Sequence, residues 1–246
     1  MQTNEASFTY LDEAAIDAAE LKTTPYEWAY LPNAIPNRFL DQVLADAPKI
    51  PDRGSYGLPD LKYGPEFAGV VKELLSDRFR HLVERKFHMD LSKNPPVIVM
   101  MGNTSGKYNE GYAHPDSRHK IVTVIVGFTR EWPYEHGRLR VLNGPDRNDY
   151  AFEFAPEFGC MWMFKVSDKS WHGFLPQKGP RMSLQLCYCD SEAYVKSEYR
   201  RHRLSAFVKS IPFLSKLISL MPRQNPSVKA MKKMGACGCQ SHSKKD

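Results

Sequence analysis

A chain of 246 residues with 42% apolar and 25% charged residues has the composition of a soluble globular protein and the length to bury a full core. No apolar run approaches the roughly 18 residues that cross a bilayer. The acidic, polar opening "MQTNEASFTYLDEAAIDAAE" has no apolar signal region, so neither a membrane span nor export is expected. The net charge of +6 is unevenly placed: residues 191–246 hold 12 Lys and Arg against 3 acidic residues, leaving 22 against 25 in the rest. The basicity therefore belongs to the C-terminal region and says little about the ligand of the main body.

Residues 1–24 read as a loosely helical polar leader, and "YEWAYLPNAIP" as a short strand and a turn. In "NRFLDQVLADAP", Phe39, Leu40, Val43 and Leu44 fall at helical spacing, with Asn37 as a cap and Pro48 as the stop. "GPEFAGVVKELLSDRFRHLVERKFHMDL" reads as one longer amphipathic helix with Phe67, Val70, Val71, Leu74 and Leu75 on its apolar stripe. After Pro95 the texture changes. "PPVIVMMGN", "HKIVTVIVGFT", "GRLRVLNG", "YAFEFAPE", "CMWMFKV", "SWHGFLP" and "RMSLQLCYC" are short β-rich runs punctuated by Gly, Pro, Asn or Asp. They predict a mainly β fold with flanking helices, a seven- or eight-stranded antiparallel sandwich or barrel. βαβ alternation and a Gly-rich phosphate loop are both missing, which argues against a nucleotide-binding α/β plan. Five cysteines, an odd number without framework spacing, fit reduced thiols in a cytoplasm. Cys187 and Cys189 are expected to pack inside the sheet, as are Trp132, Trp162 and Trp171 in the core or at its rim.

The stretch "YAHPDSRHK" places His114 and Asp116 two residues apart, on one face of a strand end that tolerates Pro115. "SWHGF" offers His172 as a third ligand. Two histidines and one carboxylate leave open coordination positions, the facial arrangement of non-haem Fe(II) oxygenases, although zinc also takes three such ligands and a water. "WHGFLPQKGPRMSLQLCYC" reads as a hairpin turning at Gln177-Lys178-Gly179-Pro180, in which His172 faces Gln185 and Arg181 and Ser183 share its face. Arg181 then offers a fork of donors to a carboxylate and Ser183 one hydroxyl.

Together, His114-x-Asp116, His172 and Arg181-x-Ser183 resemble the Fe(II)/2-oxoglutarate-dependent dioxygenases. The run "HPDSRHKIVTVIVGFTREWPYEHGRLRVLNG" is similar to their prolyl-4-hydroxylase-like branch, with "GRLRVL" as the Gly-x-Leu strand. The resemblance covers roughly residues 95–189. It implies a double-stranded β-helix (jelly-roll) core over 25–190 with N-terminal helices packed on one sheet; the shift in charge marks 191–246 as a basic helical tail. It further implies that His114, Asp116 and His172 hold Fe(II), that Arg181 and Ser183 hold the far carboxylate of 2-oxoglutarate, and that Tyr108 hydrogen-bonds this co-substrate. The implied reaction consumes O2, releases succinate and CO2, and hydroxylates a C–H bond. The Asp116 ligand favours this outcome over halogenation, with desaturation and ring closure left open.

Two other readings stand beside it. One is a non-redox metal enzyme on a cupin-like barrel, which has no need of Arg181 and Ser183. The other is a catalytically silent barrel whose tail binds a membrane or a partner. The prime substrate is open among small molecules, saccharides, lipid-linked compounds and peptides, with contacts expected from loops at 51–66, 103–113 and 130–137. In the tail, Leu204, Phe207, Val208, Ile211, Leu214, Ile218 and Met221 keep helical spacing among basic residues. The 200–221 segment thus docks on the barrel or lies on an anionic membrane surface; nucleic acid is not the expected partner.

Overall fold

The computed structural model describes residues 7–50, 54–105 and 111–210. In chain order its strands are β1 (Trp28–Leu31), β2 (Gly54–Gly57), β3 (Pro96–Ser105), β4 (Lys120–Gly127), β5 (Leu139–Leu142), β6 (Tyr150–Phe154), β7 (Met161–Lys165), β8 (His172–Gly173) and β9 (Lys178–Cys189). The helices are α1 (Glu13–Ala18), α2 (Leu40–Asp46), α3 (Pro65–Leu74), α4 (Asp77–Phe87) and α5 (Glu192–Ser210). Six strands form one antiparallel sheet in the order β1-β7-β4-β9-β3-β2, and three form a second in the order β6-β5-β8. A bridge between His114 and His172 adds the residues around His114 to the free side of β8.

Strand periodicity sorts the side chains of the large sheet into two sets. Val122, Val124, Val126, Met161, Met163, Leu184 and Leu186 point outward and share a core with Val43, Phe67, Val70, Leu74, Phe79, Leu82 and Val83 of the helices. Ile125, Trp162 and Phe164 point inward and meet Leu139, Val141 and Phe154 of the small sheet. The helices thus cover one face of the large sheet and the small sheet covers the other, the layered plan expected of the jelly roll. The inner face of β3 and β9 is closed by α5: Val97, Val99, Cys187 and Cys189 pack with Val195. Ile98 N also donates to Tyr199 Oη at 3.1 Å.

Three local expectations are corrected. The long helix after Gly64 is two helices, because the Ser76 hydroxyl accepts from Phe79 N and caps α4, leaving Leu75 exposed at the break. Asn37 does not cap α2; it opens a 3-10 turn at Asn37–Phe39 that leads into it. The hairpin joining His172 to Arg181 does not form. β8 pairs with β5, whereas β9 pairs with β3 and β4, so Gln185 faces Val99 and Ile125 rather than His172. Between Phe174 and Gln177 the chain crosses from the small sheet to the large one, a connection that strand patterning alone does not distinguish from a turn.

Candidate metal centre

His114 and His172 occupy directly opposed positions and exchange both backbone hydrogen bonds, His114 N to His172 O and His172 N to His114 O, each 3.0 Å. Their rings lie 4.4 Å apart by centroid. Asp116 reaches the same point from the loop after Pro115, and one ligand atom from each of the three residues falls within 4.8 Å of the others. Gly111 makes the close pairing feasible. It adopts φ +62°, and a Cβ there would lie 2.4 Å from Phe174 O.

Each histidine is oriented by a backbone carbonyl. His114 Nδ1 sits 2.9 Å from Tyr112 O, and His172 Nδ1 sits 2.9 Å from Ser170 O. A carbonyl can accept but not donate, so Nδ1 carries a proton in both rings and Nε2 is the nitrogen turned toward a metal. Burial, together with neighbouring His114, pushes the His172 pKa down to about 4 and keeps the imidazole neutral. Phe164 at 4.9 Å and Trp162 at 5.5 Å wall this ring from water.

Both oxygens of Asp116 are engaged. Lys120 Nζ donates to Oδ1 at 2.9 Å and Thr123 Oγ1 to Oδ2 at 2.7 Å. Burial alone would raise this carboxyl, but the Lys120 ammonium, the two histidines and the Thr123 hydroxyl outweigh it and hold it well below the usual carboxylate range. Burial likewise opposes the charge of Lys120, yet Cys187 and Asp116 keep its pKa above the ordinary value. Burial pushes the Cys187 thiol itself up to about 11, so at neutral pH the standing partner of Lys120 is Asp116. The sequence reading missed Lys120 and Thr123. Their signal is faint: a lysine opening an apolar strand, and a lone hydroxyl inside "KIVTVIVG".

Arg181 and Ser183 alternate along β9 with the outward-facing Met182 and Leu184, and both are buried within the sandwich. They therefore face the interior that holds His172, although from the opposite sheet. The Arg181 guanidinium carbon lies 4.1 Å from the centre of the Phe174 ring, a stacking that orients the guanidinium plane. Ser183 Oγ is buried with no hydrogen-bond partner among the described residues, a donor left for a ligand. Tyr108 lies outside the described residues. Of the loops expected to meet substrate, 130–137 is propped from within: Trp132 is buried and donates through Nε1 to His136 O at 2.8 Å.

The chain matches no protein-family model and no curated protein. Among solved structures, a prolyl 4-hydroxylase from Phytophthora capsici is similar with a TM-score of 0.50, over 76% of this chain and 68% of its own, at 15% identity. The fold is that of the prolyl 4-hydroxylases. A Pseudomonas putida prolyl-4-hydroxylase is 17% identical over 73% of this chain and 98% of its own, with a TM-score of 0.49. An oxidoreductase of the 2OG-Fe(II) oxygenase family from Burkholderia pseudomallei is 14% identical over 77% and 93%, with a TM-score of 0.45.

The donor set fits a divalent iron. Two imidazole nitrogens and one carboxylate oxygen come together, a donor set that would leave coordination positions of such an ion open to other ligands. The Ser183 hydroxyl, buried without a partner among the described residues, and the guanidinium of Arg181 are both donors of the kind an anion takes.

Proposed function

We propose that this protein is an Fe(II)- and 2-oxoglutarate-dependent oxygenase that hydroxylates a C–H bond. The observation that carries the reading is the convergence of His114, Asp116 and His172 in an interior that also holds Arg181 and Ser183. When bound, iron and 2-oxoglutarate supply the oxidising chemistry: O2, 2-oxoglutarate and R–H become R–OH, succinate and CO2, one oxygen atom entering each organic product.

The residues of the chain contribute position and environment. His114 and His172 present Nε2 from a hydrogen-bonded strand pair, so their spacing is set before any ion arrives. Asp116 is kept ionised by Lys120 and Thr123, ready as the anionic ligand. Arg181 pairs with the distal carboxylate of the co-substrate and Ser183 donates its hydroxyl to it, which fixes which end of the keto acid faces the metal ligands. Trp162 and Phe164 exclude water from the side of His172. A non-redox metal enzyme would make no use of the Arg181–Ser183 pair.

The test is spectroscopic. Fe(II) is added to the metal-free protein without oxygen, 2-oxoglutarate is titrated in, and a visible charge-transfer band is followed. The expected result is a saturable band that His172→Ala abolishes and that Arg181→Ala shifts to much higher 2-oxoglutarate concentration while metal binding persists. Tight metal binding with no band overturns the proposal.

A further inference from the structure

An indole nitrogen can donate a hydrogen bond but cannot accept one, so a buried tryptophan needs an acceptor for its N–H. Two of the tryptophans meet that need with backbone carbonyls. Trp28 Nε1 donates to Thr24 O at 3.0 Å, and Trp132 Nε1 donates to His136 O at 2.8 Å. Trp162, in β7, is different. Its side chain is fully buried, and its Nε1 finds no acceptor among the described residues. A buried donor in this state has given up its bonds to water and gained nothing in exchange.

The ring is wedged beside the metal ligands and cannot turn to seek an acceptor elsewhere. It stacks on Phe164 at 4.4 Å, meets Phe154 at 5.7 Å and stands at a steep angle to the His172 ring at 5.5 Å. An aromatic face accepts an N–H only weakly.

Strand register places this donor between the two ends of the site. On the inner face of the large sheet, Thr123 pairs with Phe164 and Cys187, and the Thr123 hydroxyl holds Asp116. Two residues along β4, Ile125 pairs with Trp162 and Gln185; two residues further, Gly127 pairs with Ser183. Same-face positions on a strand are about 6.5 Å apart. Trp162 is therefore one step from the metal-ligand end and one step from Ser183. Ile125, at the centre of this middle rung, offers no hydrogen bond. A dicarboxylate that runs from the metal ligands to Arg181 must cross it.

We propose that the Trp162 indole is a further donor to the co-substrate, giving its N–H to an oxygen of bound 2-oxoglutarate between the metal ligands and the Arg181–Ser183 pair. This rests on the function proposed above and adds to it a contact from β7, a strand that supplies neither metal ligand nor carboxylate clamp. The donor is fixed by packing before the anion arrives, so binding costs no reorientation of the ring. A bond from it to an ionised or polarised oxygen is of the stronger, charge-assisted kind.

The experiment reads the indole directly. The protein is isotopically labelled at its indole nitrogens and loaded with Zn(II), a diamagnetic stand-in, and 2-oxoglutarate is titrated in. Trp162→Phe identifies the Trp162 signal by its loss. The expected result is a downfield move of that N–H proton on saturation, while the Trp28 signal, already bonded to a carbonyl, stays in place. In calorimetry of the anaerobic Fe(II) protein, Trp162→Phe should bind 2-oxoglutarate about ten-fold more weakly with metal affinity unchanged. An indole that only packs would lower the thermal midpoint of the variant and move neither readout. The inference is overturned if the co-substrate binds and the Trp162 signal stays where it was, or if Trp162→Phe binds 2-oxoglutarate as tightly as the parent. If 2-oxoglutarate binds to neither metal form, the proposed function fails and this inference falls with it.

Discussion

Lys120 and Asp116 form an ion pair of 2.9 Å in which the two side chains keep 11% and 7% of their accessible surface. A buried carboxylate that loses its cation is left uncompensated, at a cost of about 3–5 kcal/mol. Lys120→Met should therefore lower the stability of the metal-free protein markedly. A divalent ion beside Asp116 replaces the missing charge, so the gain in melting temperature on adding metal should be larger in this variant than in the parent. Anaerobic thermal denaturation with and without metal measures both. An equal or smaller gain would mean that Lys120 does not compete with the ion for the carboxylate.

Arg181→Lys keeps a positive charge but loses the two-pronged geometry and the plane that stacks on Phe174. The affinity for 2-oxoglutarate should fall about ten- to a hundred-fold with metal affinity unchanged. Calorimetric titration of the metal-loaded protein separates the two quantities, and an unaltered 2-oxoglutarate affinity would remove Arg181 from the co-substrate site.

Ser183→Ala should act in opposite directions on stability and binding. The hydroxyl is buried without a partner among the described residues, so removing it relieves a desolvation cost and should leave the ligand-free protein as stable or slightly more stable. Binding of 2-oxoglutarate should weaken, because a donor to its carboxylate has gone. A loss of stability in the ligand-free protein would show that the hydroxyl is already satisfied there.

The pH dependence of the metal-free protein follows from His172, whose pKa is about 4 when folded against an ordinary value of 6.5. Between those values the unfolded chain binds more protons than the folded one, so stability is full above 6.5 and falls as pH drops through that window. Asp116, depressed below the ordinary carboxylate value, adds stability that is lost at still lower pH. Urea midpoints recorded between about pH 7 and pH 4.5 should descend steadily. The descent should be shallower in His172→Phe.

Gly111→Ala tests the strand pairing behind the ligands. A left-handed conformation costs a residue with a Cβ about 1–2 kcal/mol, and at φ +62° the new methyl would press on Phe174 O. Both stability and metal affinity should drop, and circular dichroism with metal titration would report them. Unchanged metal affinity would mean that the His114–His172 spacing survives without this close approach.

How much of this was legible in sequence depended on whether a feature is local. The strands after Pro95 announce themselves by β-branched runs between turn residues, and all seven appear. Period-two alternation puts Arg181 and Ser183 on one face of their strand, but the expected sharing of His172's face is corrected, since β8 and β9 belong to different sheets. Spacing brought His114, Asp116 and His172 together as a candidate set and the resemblance implied iron for it; neither could supply which strand runs beside which. A connection such as 174–177 turns back in a hairpin and crosses over in a jelly roll with the same residues, and the choice is made by packing on the other sheet. Lys120 and Thr123 were missed because their partner, Asp116, is brought to them by tertiary structure. The break at Ser76 was legible as a cap, but the continuous apolar stripe from Phe67 to Leu75 obscured it.

The reciprocal bonding of His114 and His172 has a consequence for the order of events in assembly. The two residues lie far apart in the chain and become neighbours only when the residues around His114 join the free side of β8 in the small sheet. Contacts of such high sequence separation form late, after the entropy of the intervening loop has been spent. On the proposed reading, an ion held by His114, Asp116 and His172 would bind after these contacts form, unlike the metal of a zinc finger, which drives the folding of its domain. The barrel would complete itself first, and such an ion would then enter a finished protein. The route by which it enters must therefore stay passable in the native state.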